Sequence, residues 1–308
     1  MHSFDWNDLR YFLAIRRERT LAGAARSLRV QHSTVGRRLE ALETMLGASL
    51  FTRTPDGFLL TEAGTGILTL AEDAERALTA IERRVAGTDE RIEGIVRLTA
   101  SEAFSGFLVR RLAELQQRHP GLMVEVLVGN QSLDLMRGEA DLALRISATT
   151  QSELICKRIG DAGWSLYAAE SYIARRGAPA SPTELAGHDV IGFDETMAGV
   201  PGARYLRDYA AGAHVMLRGN SIVSVLNAAI VGMGLAMLPC FLAEAEPTLR
   251  RLAPEILGSR EIWLVFHPDV ARIARVRCVI DFVTEIIGRE AARLRGELAE
   301  VPIGVNRG

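Results

Sequence analysis

Lysine is almost absent from this 308-residue chain: Lys157 is the single example, so arginine supplies 35 of the 36 basic side chains. The bias runs through the whole sequence and therefore reflects composition rather than a local chemistry. Cysteine is nearly as scarce. Cys156, Cys240 and Cys278 are far apart and form no C-x-x-C or Cys/His cluster, which excludes a disulfide framework and a zinc site of ordinary ligand spacing. They read as small buried apolar residues, with a redox role left open. Long apolar runs are missing too: nothing approaches the roughly 18 consecutive apolar residues of a membrane span, and MHSFDWNDLR lacks the basic-then-apolar order of a signal peptide. A cytoplasmic protein without membrane contact is expected. The signatures G-x-S-x-G, G-x-x-x-x-G-K-S/T, H-E-x-x-H and G-x-G-x-x-G are also missing, which argues against the enzyme classes they mark. Gly232 and Gly234 in GMGLAMLP follow a helix and precede a strand, the reverse of the dinucleotide pattern, and read as a helix stop. Nothing in the sequence asks for a metal or a cofactor.

What is present is a chain long enough for two domains, with 48% hydrophobic residues to build their cores. The net charge of −2 argues against a generally basic nucleic-acid binder, but the charge is uneven. From Met1 to Glu62 nine arginines face seven acidic residues, a net +2, whereas the remainder holds 27 basic and 31 acidic residues, a net −4. A small basic head is compatible with phosphate contact.

The first segment is helical by period. In NDLRYFLAIRRE, Leu9, Phe12, Leu13 and the stem of Arg16 share a face, with Asp5 or Asn7 available as a cap. Thr20 caps a second helix in which Leu21, Ala24, Ala25 and Leu28 recur at three and four. After a turn at Arg29-Val30, a third helix runs from about His32 to Leu46, with Val35, Leu39, Leu42 and Leu46 as its buried stripe and Gly47 as its stop. Two helices joined by a short turn are the helix-turn-helix arrangement. Opposite the stripe lie Ser33, Thr34, Arg37, Arg38 and Ala41, a narrow polar and cationic face that fits a major groove: short side chains and Gly36 let the axis approach base edges, and arginine reaches guanine or phosphate. From spacing alone the face is equally a solvated helix surface. In SLFTRTPDGFLLTEAG, two apolar-rich stretches flank a Pro55-Asp56-Gly57 turn and read as a hairpin wing with Arg53 beside it. Thr61 then caps a long helix to about Ala86 whose apolar residues step close to a heptad. Its seam, Ile67, Leu70, Ala74, Leu78 and Ile81, has no core of its own to cover it and is expected to dimerise.

These motifs identify a family. DLRYFLAI, LAGAARSLRVQHSTVGRRLEALE and LGASLFTRTPDGFLLTEAG resemble the head of the LysR-type transcriptional regulators almost without a gap. The chain departs from the family where Ser-Gln-Pro-Ala-Val-Ser-Arg-Arg is common; Gln31-His32-Ser33-Thr34-Val35-Gly36-Arg37-Arg38 stands in its place. By resemblance, His32, Ser33 and Arg37 contact bases, with Gln31 at the opening of the reading helix, and Thr34, Arg38 and Arg53 contact phosphate. The resemblance also implies double-stranded promoter DNA and a small-molecule effector as partners, and a homodimer that assembles into a homotetramer.

From Glu93 onward, strands and helices alternate. GIVRLTAS, LMVEVLVG and DLALRI are strands separated by FLVRRLAELQQRH and LDLMRG, a βαβ series that implies a parallel sheet with helices on both faces. WSLYAA, HDVIGF, HVMLRG, GLAMLP and EIWLVFHP follow, with a helix at SIVSVLNAAIVG and a last one from about Ile273 to Leu298. The resemblance implies two interleaved lobes similar to periplasmic solute-binding proteins, with the ligand between them. In open α/β sheets ligands bind beyond the carboxyl ends of strands. Those ends supply Ser101, Asn130, Gln131, Arg145, Phe193, Asp194, Ser221 and Ile222 as candidates for an effector, a carboxylate among the options. Ser101 and Ser221 could equally be simple helix caps, Arg145 could close a salt bridge, and His267 before Pro268 reads as structural. The expected layout is a winged helix-turn-helix over 1–62, a linker and dimerisation helix over 63–91, and a two-lobed α/β domain over 92–300. Lobe I takes about 92–162 and 266–300, and lobe II about 163–265. Two other readings stay open: a small-molecule enzyme with a vestigial DNA-binding head, and a DNA-binding regulator that needs no effector.

Overall fold

The computed structural model describes residues 5–86, 90–129, 135, 138–146 and 151–297. The chain divides into two compact units, Met1–Val85 and Ala86–Gly308.

In the first unit, α1 (Asp8–Glu18), α2 (Leu21–Leu28) and α3 (His32–Leu46) pack around Phe12, Leu13, Ala24, Val35 and Leu42. α1 buries Phe12, Leu13, Ala14 and Ile15 in succession because α2, α3 and the wing surround it; Arg16, expected along its buried face, is exposed. Neither Asp5 nor Asn7 caps the helix through its side chain in the usual way. Asp5 instead accepts from the Asn7 amide at 3.0 Å. Thr20 caps α2 by accepting from Gly23 N at 3.0 Å. α3 ends at Gly47 in the left-handed region, φ 67°. Its stripe stops at Leu42, since Leu46 is exposed, and Leu50 takes the next place in the core.

The wing is the antiparallel pair β1 (Phe51–Thr54) and β2 (Gly57–Leu60). Phe58 N donates to Arg19 O at 2.8 Å, which fastens the wing to the end of α1. Gly57, at φ 112°, leaves no room for a side chain: a Cβ there would lie 2.3 Å from the same carbonyl oxygen. Thr61 caps α4 (Glu62–Ala86) through Gly64 N at 3.0 Å and donates to Ser49 O at 2.7 Å. The first turns of α4 belong to the head, with Ala71 buried and Ile67 and Leu68 packed on its core, and an Arg17–Glu75 ion pair ties α4 to α1.

The second unit is built on one nine-stranded sheet in the order β4-β3-β5-β11-β6-β9-β7-β8, with β10 also on β6. The strands are β3 (Gly94–Ala100), β4 (Leu122–Val128), β5 (Leu142–Arg145), β6 (Ile155–Ala169), β7 (Asp189–Phe193), β8 (His214–Gly219), β9 (Leu235–Pro239), β10 (Leu249–Arg251) and β11 (Gly258–Phe266). The expected parallel sheet is mixed. β4-β3-β5 and β9-β7-β8 are parallel, but β6 and β11 run antiparallel over the whole of β11 and the first part of β6, from Gly258 opposite Trp164 to Phe266 opposite Ile155. This pair joins the two halves of the sheet: β11 continues to β5 and β6 continues to β9. The register shifts at Ile262/Trp263, so the chain passes between lobes within two strands rather than through loops.

Helices cover both faces: α5 (Glu102–Arg118), α6 (Glu170–Arg176), α7 (Pro201–Tyr209), α8 (Ile222–Ile230), α9 (Cys240–Ala243), α10 (Ala274–Arg289) and α11 (Ala291–Arg295). The expected last helix is therefore two, broken at Glu290, and α11 ends at Gly296. The helix expected at LDLMRG falls mostly outside the described residues. A continuous core runs from Leu98 and Phe104 to Trp164, Met237 and Ile286. No disulfide forms among the described residues; Cys240 is buried and Cys156 and Cys278 half-buried.

Candidate functional sites

The head exposes one face of α3. Val35, Leu39 and Leu42 turn it toward α1 and α2, which leaves Gln31, His32, Ser33 and Arg37 in solvent and Thr34 half-buried at its start. Arg37 and, on the wing, Arg53 are exposed and make no ion pair among the described residues. Arg38 differs. It points back to α1, donating to Asp8 at 3.1 Å and Asp5 at 3.3 Å, with its guanidinium 6.0 Å from the Tyr11 ring. The Asp8 carboxylate is the reason: at 6% exposure it is one of the few buried polar groups, and a buried carboxylate needs a charged partner. These contacts, first of all with Asp8, raise the Arg38 pKa above its ordinary value. Its neighbour Arg37 stays on the outer face.

Glu43 escapes a reading by periodicity because it lies at the edge of the buried stripe. Its Oε1 accepts from Leu50 N at 2.6 Å and Phe51 N at 3.3 Å, so α3 carries the wing on a side chain. A glutamate just ahead of the helix-ending glycine and the strand is the only trace of this in the sequence.

In the second unit the carboxyl ends of β3 and β5 lie side by side, Ala100 opposite Leu144, and place Ser101 beside Arg145. Arg145 donates from Nη2 to Thr99 Oγ1 at 3.0 Å, while its Nη1 is buried with no hydrogen-bond partner. Burial lowers its pKa, and it forms no ion pair among the described residues. Ser101 precedes α5 yet does not cap it through its side chain; its Oγ is also buried and without a partner. A guanidinium and a hydroxyl at adjacent strand ends thus each hold an unused hydrogen-bonding atom.

Ser221 behaves differently. It caps α8 through Ser224 N at 3.0 Å and donates to Glu102 Oε1 at 2.9 Å, joining the start of α8 in one lobe to the start of α5 in the other. Asp194 is engaged with Thr196 N at 3.0 Å and Thr196 Oγ1 at 2.6 Å. Phe193 is buried edge-on against Trp164, and Ile222 is buried in the core. Asn130 and Gln131 lie outside the described residues. Thr99, the buried partner of Arg145, was hidden in the sequence by its place in an apolar strand. His267 closes a turn by accepting from Asp269 N at 3.2 Å, a structural role.

Of the expected dimerisation seam, Leu70 and Ile81 are strongly exposed, 69% and 60%, and Ala74 and Leu78 are half-buried. Ile67 leaves the free row because it packs on the head core.

Comparison with known proteins gives the same division. Residues 6–65 match the family of bacterial regulatory helix-turn-helix proteins, lysR family, and residues 89–287 match the LysR substrate binding domain. An HTH-type transcriptional regulator of Xanthomonas campestris pv. campestris is 30% identical over 93% of this chain and 87% of its own. The solved structure of CrgA, a LysR-type transcriptional regulator from Neisseria meningitidis, is similar with 25% identity and a TM-score of 0.57, covering 94% of this chain and 99% of that one. The full-length Vibrio cholerae virulence activator AphB shares the fold at 20% identity, with a TM-score of 0.61 over 91% of this chain and 99% of its own. No described helix is long and apolar enough to cross a membrane. The chain belongs to the LysR family: it is a DNA-binding transcriptional regulator with a winged helix-turn-helix head and an effector-binding domain, and not an enzyme.

Proposed function

We propose that two copies of the chain pair and present α3 to the two halves of a two-fold DNA site, and that a small carboxylate held at Ser101 and Arg145 controls how they do so. Arg37, Ser33 and His32 read bases and Gln31 opens the reading helix. Thr34 and Arg53 hold phosphate. Arg38 acts as a positioning residue that fixes α3 on α1 through Asp8. The observation that carries the DNA reading is this division of the two neighbouring arginines, one bound to the head and one free. For the effector it is the buried, unpartnered Nη1 of Arg145 next to the unpartnered Ser101 hydroxyl. Pairing is supported by the exposed Leu70 and Ile81 on α4 and by edge strands β4 and β8, which leave Met123, Val128, Val215 and Met216 half in solvent. Two such dimers assemble into a tetramer in the cytoplasm. The effector works by binding one arrangement of these dimers better than another, since only differential affinity shifts an equilibrium.

Selection of bound sequences from a random duplex pool tests the reading. The full chain is expected to enrich a two-fold motif, and R37A to lose roughly ten-fold or more in affinity for it without a change in stability. R38A is expected to destabilise the head instead. Absence of any enriched motif with folded protein would overturn the DNA assignment. A thermal shift with a panel of carboxylates tests the effector, because a ligand stabilises the fold it binds. Failure of every carboxylate would favour a regulator that works without one.

A further inference from the structure

α3 carries two carboxylates, and they are used differently. Glu43 is turned to the wing and accepts from Leu50 N and Phe51 N. Glu40 is exposed and makes no hydrogen bond or ion pair among the described residues. The buried stripe of the helix is Val35, Leu39 and Leu42. With each residue turned by about 100° from the last, Ser33, Arg37 and Glu40 follow one another at four and three on the other side. Glu40 therefore shares the face assigned to the groove, which periodicity had described by Ser33, Thr34, Arg37, Arg38 and Ala41 alone.

Its surroundings leave the carboxylate free. Long side chains of a helix lean toward the N-terminus and cover the turn before their own Cα. For Glu40 that turn holds Gly36 and Arg37. Gly36 has no side chain, and a Cβ built on it would meet Leu21 Cδ1 at an ordinary 3.8 Å, so the head itself does not require a glycine there. Arg37 has the opposite charge, yet the two form no ion pair among the described residues. Asp73 with Arg76 and Glu290 with Arg293, also three apart, do pair, and in both the acid comes first. Arg37 precedes Glu40, which is the weaker order along a helix. The reading face thus presents a guanidinium and a carboxylate side by side, neither neutralised by the other.

An ionised carboxylate only accepts hydrogen bonds. Near DNA it is repelled by phosphate, and in the major groove it finds donors only at cytosine N4 and adenine N6. Adenine sets its N7 acceptor beside that amine, whereas guanine and thymine present the acceptors O6, N7 and O4. Cytosine is the base that suits it. Arg37 has the complementary preference, for guanine O6 and N7. The two residues lie about 4.5 Å apart along the helix axis, close to the roughly 3.4 Å between successive base pairs.

We propose that Glu40 is a specificity-determining residue of α3, reading a cytosine within one base-pair step of the guanine taken by Arg37. The assignment rests on α3 entering the major groove and adds a repulsive element to it. Glu40 weakens binding to DNA in general and recovers the loss only where a cytosine amine meets the carboxylate. Specificity is a difference of affinities, and a group that penalises the wrong sequence enlarges it.

Selection of bound sequences from a random duplex pool, run in parallel with full-length wild type, E40A and E40Q, tests the proposal. Neither substitution breaks a contact within the head, so both variants are expected to keep the wild-type Tm. The wild-type motif is expected to hold a cytosine next to a guanine in each half-site. In E40A the cytosine position is expected to relax, with discrimination against the other bases reduced roughly ten-fold. Affinity for a mixed-sequence duplex is expected to rise about two- to five-fold in the same variant, as a negative charge leaves the phosphate surface. Glutamine donates as well as accepts, so E40Q is expected to move the preference from cytosine toward adenine. A cytosine position unchanged in E40A overturns the proposal and leaves the DNA reading intact. A uniform gain in affinity with an unaltered motif does the same, because Glu40 would then act by repulsion alone. A wild-type pool without any enriched motif overturns both. Should E40A lose Tm, E40Q decides, and a motif identical to wild type refutes the assignment.

Discussion

Arg145 offers a test in which stability and function move in opposite directions. The perturbation is Arg145→Met, which keeps the length and much of the volume of the side chain but removes the charge. In the unliganded protein the guanidinium is partly desolvated and meets no carboxylate among the described residues, which lowers its pKa, and its Nη1 has no partner. A partly buried ion without its counter-ion costs several kcal/mol after relaxation, roughly 2–4 for a group that keeps some solvent. Against this, the variant loses the bond from Nη2 to Thr99 Oγ1, and a hydrogen bond to a charged group contributes about 1.5–3 kcal/mol. The balance favours the variant by about 1 kcal/mol, or an increase of about 2–4 °C in Tm for a unit of this size. Differential scanning fluorimetry of the full chain reads it directly. The same scans in the presence of a stabilising carboxylate are expected to raise the wild-type Tm and leave that of the variant unmoved. A variant that is less stable than wild type without ligand would mean that Arg145 is held for structure. The vacancy at Nη1 would then have no bearing on an effector.

Glu102 accepts from Ser221 across the lobes and directly follows Ser101 in the chain, at the same strand end as the proposed carboxylate position. Glu102→Gln is expected to tighten a carboxylate effector by roughly three- to ten-fold, the effect of removing one like charge at a few ångströms in a partly solvated cleft; calorimetry showing weaker binding would place the ligand elsewhere. Leu70→Glu with Ile81→Glu puts charge on the exposed row of α4 and is expected to yield monomers by sedimentation and to abolish binding to the two-fold DNA site, while retained dimers would move the interface off α4. Gly57→Ala is expected to lower the stability of the head by about 2 kcal/mol, since its φ is positive and the new Cβ meets Arg19 O; an unchanged Tm would show that the wing shifts freely. Glu114 is held down to about 2, first by its hydrogen bond from Arg289 and then by the charges of Arg289 and Arg118. A depressed carboxylate contributes stability that is present above its unfolded pKa and disappears as pH falls toward the folded one. The stability gap between wild type and Glu114→Gln is therefore expected to be constant near pH 7 and to close between about pH 4.5 and 2 in acid unfolding curves, and a gap independent of pH would contradict it.

The parts of this protein that a reader of the sequence can find are those decided by period and by turn chemistry. α3 begins at His32 and stops at Gly47 because a β-branched and leucine stripe ends where a glycine is available for the left-handed cap. The wing follows from Pro55-Asp56-Gly57, and α4 from the Thr61 cap. What cannot be found this way is set by contacts between distant segments. Arg37 and Arg38 are indistinguishable in sequence; what separates them is Asp8, thirty residues earlier, whose burial claims one of them. The first half of β6, ICKRIGDAG, carries two glycines and three charges and has no strand pattern. It becomes a strand because β11 supplies a full antiparallel partner and because α11 rests directly on its backbone, where a Cβ on Gly163 would lie 2.2 Å from Arg295 O.

The same distinction governs the cleft. A serine before a helix reads as a cap, and for Ser221 that reading holds, yet the side chain also crosses to Glu102. For Ser101 it fails, since the hydroxyl stays buried and unused. Position after a strand selects both residues; only the surroundings separate the one that is spent from the one that is free. Binding candidates taken from strand ends therefore need a second criterion, which is whether the polar atom already has a partner. By that measure Ser101 and Arg145 remain, Ser221 and Asp194 are committed to the protein itself, and Phe193 and Ile222 are buried in the core. An effector at the proposed Ser101–Arg145 position would meet one cation on the lobe I side and, at the latch to lobe II, one carboxylate. It would gain from the first and be repelled by the second. On the proposed reading, a ligand that displaced Glu102 from Ser221 would release the lobes from each other as it bound, and so supply the differential affinity that a switch requires.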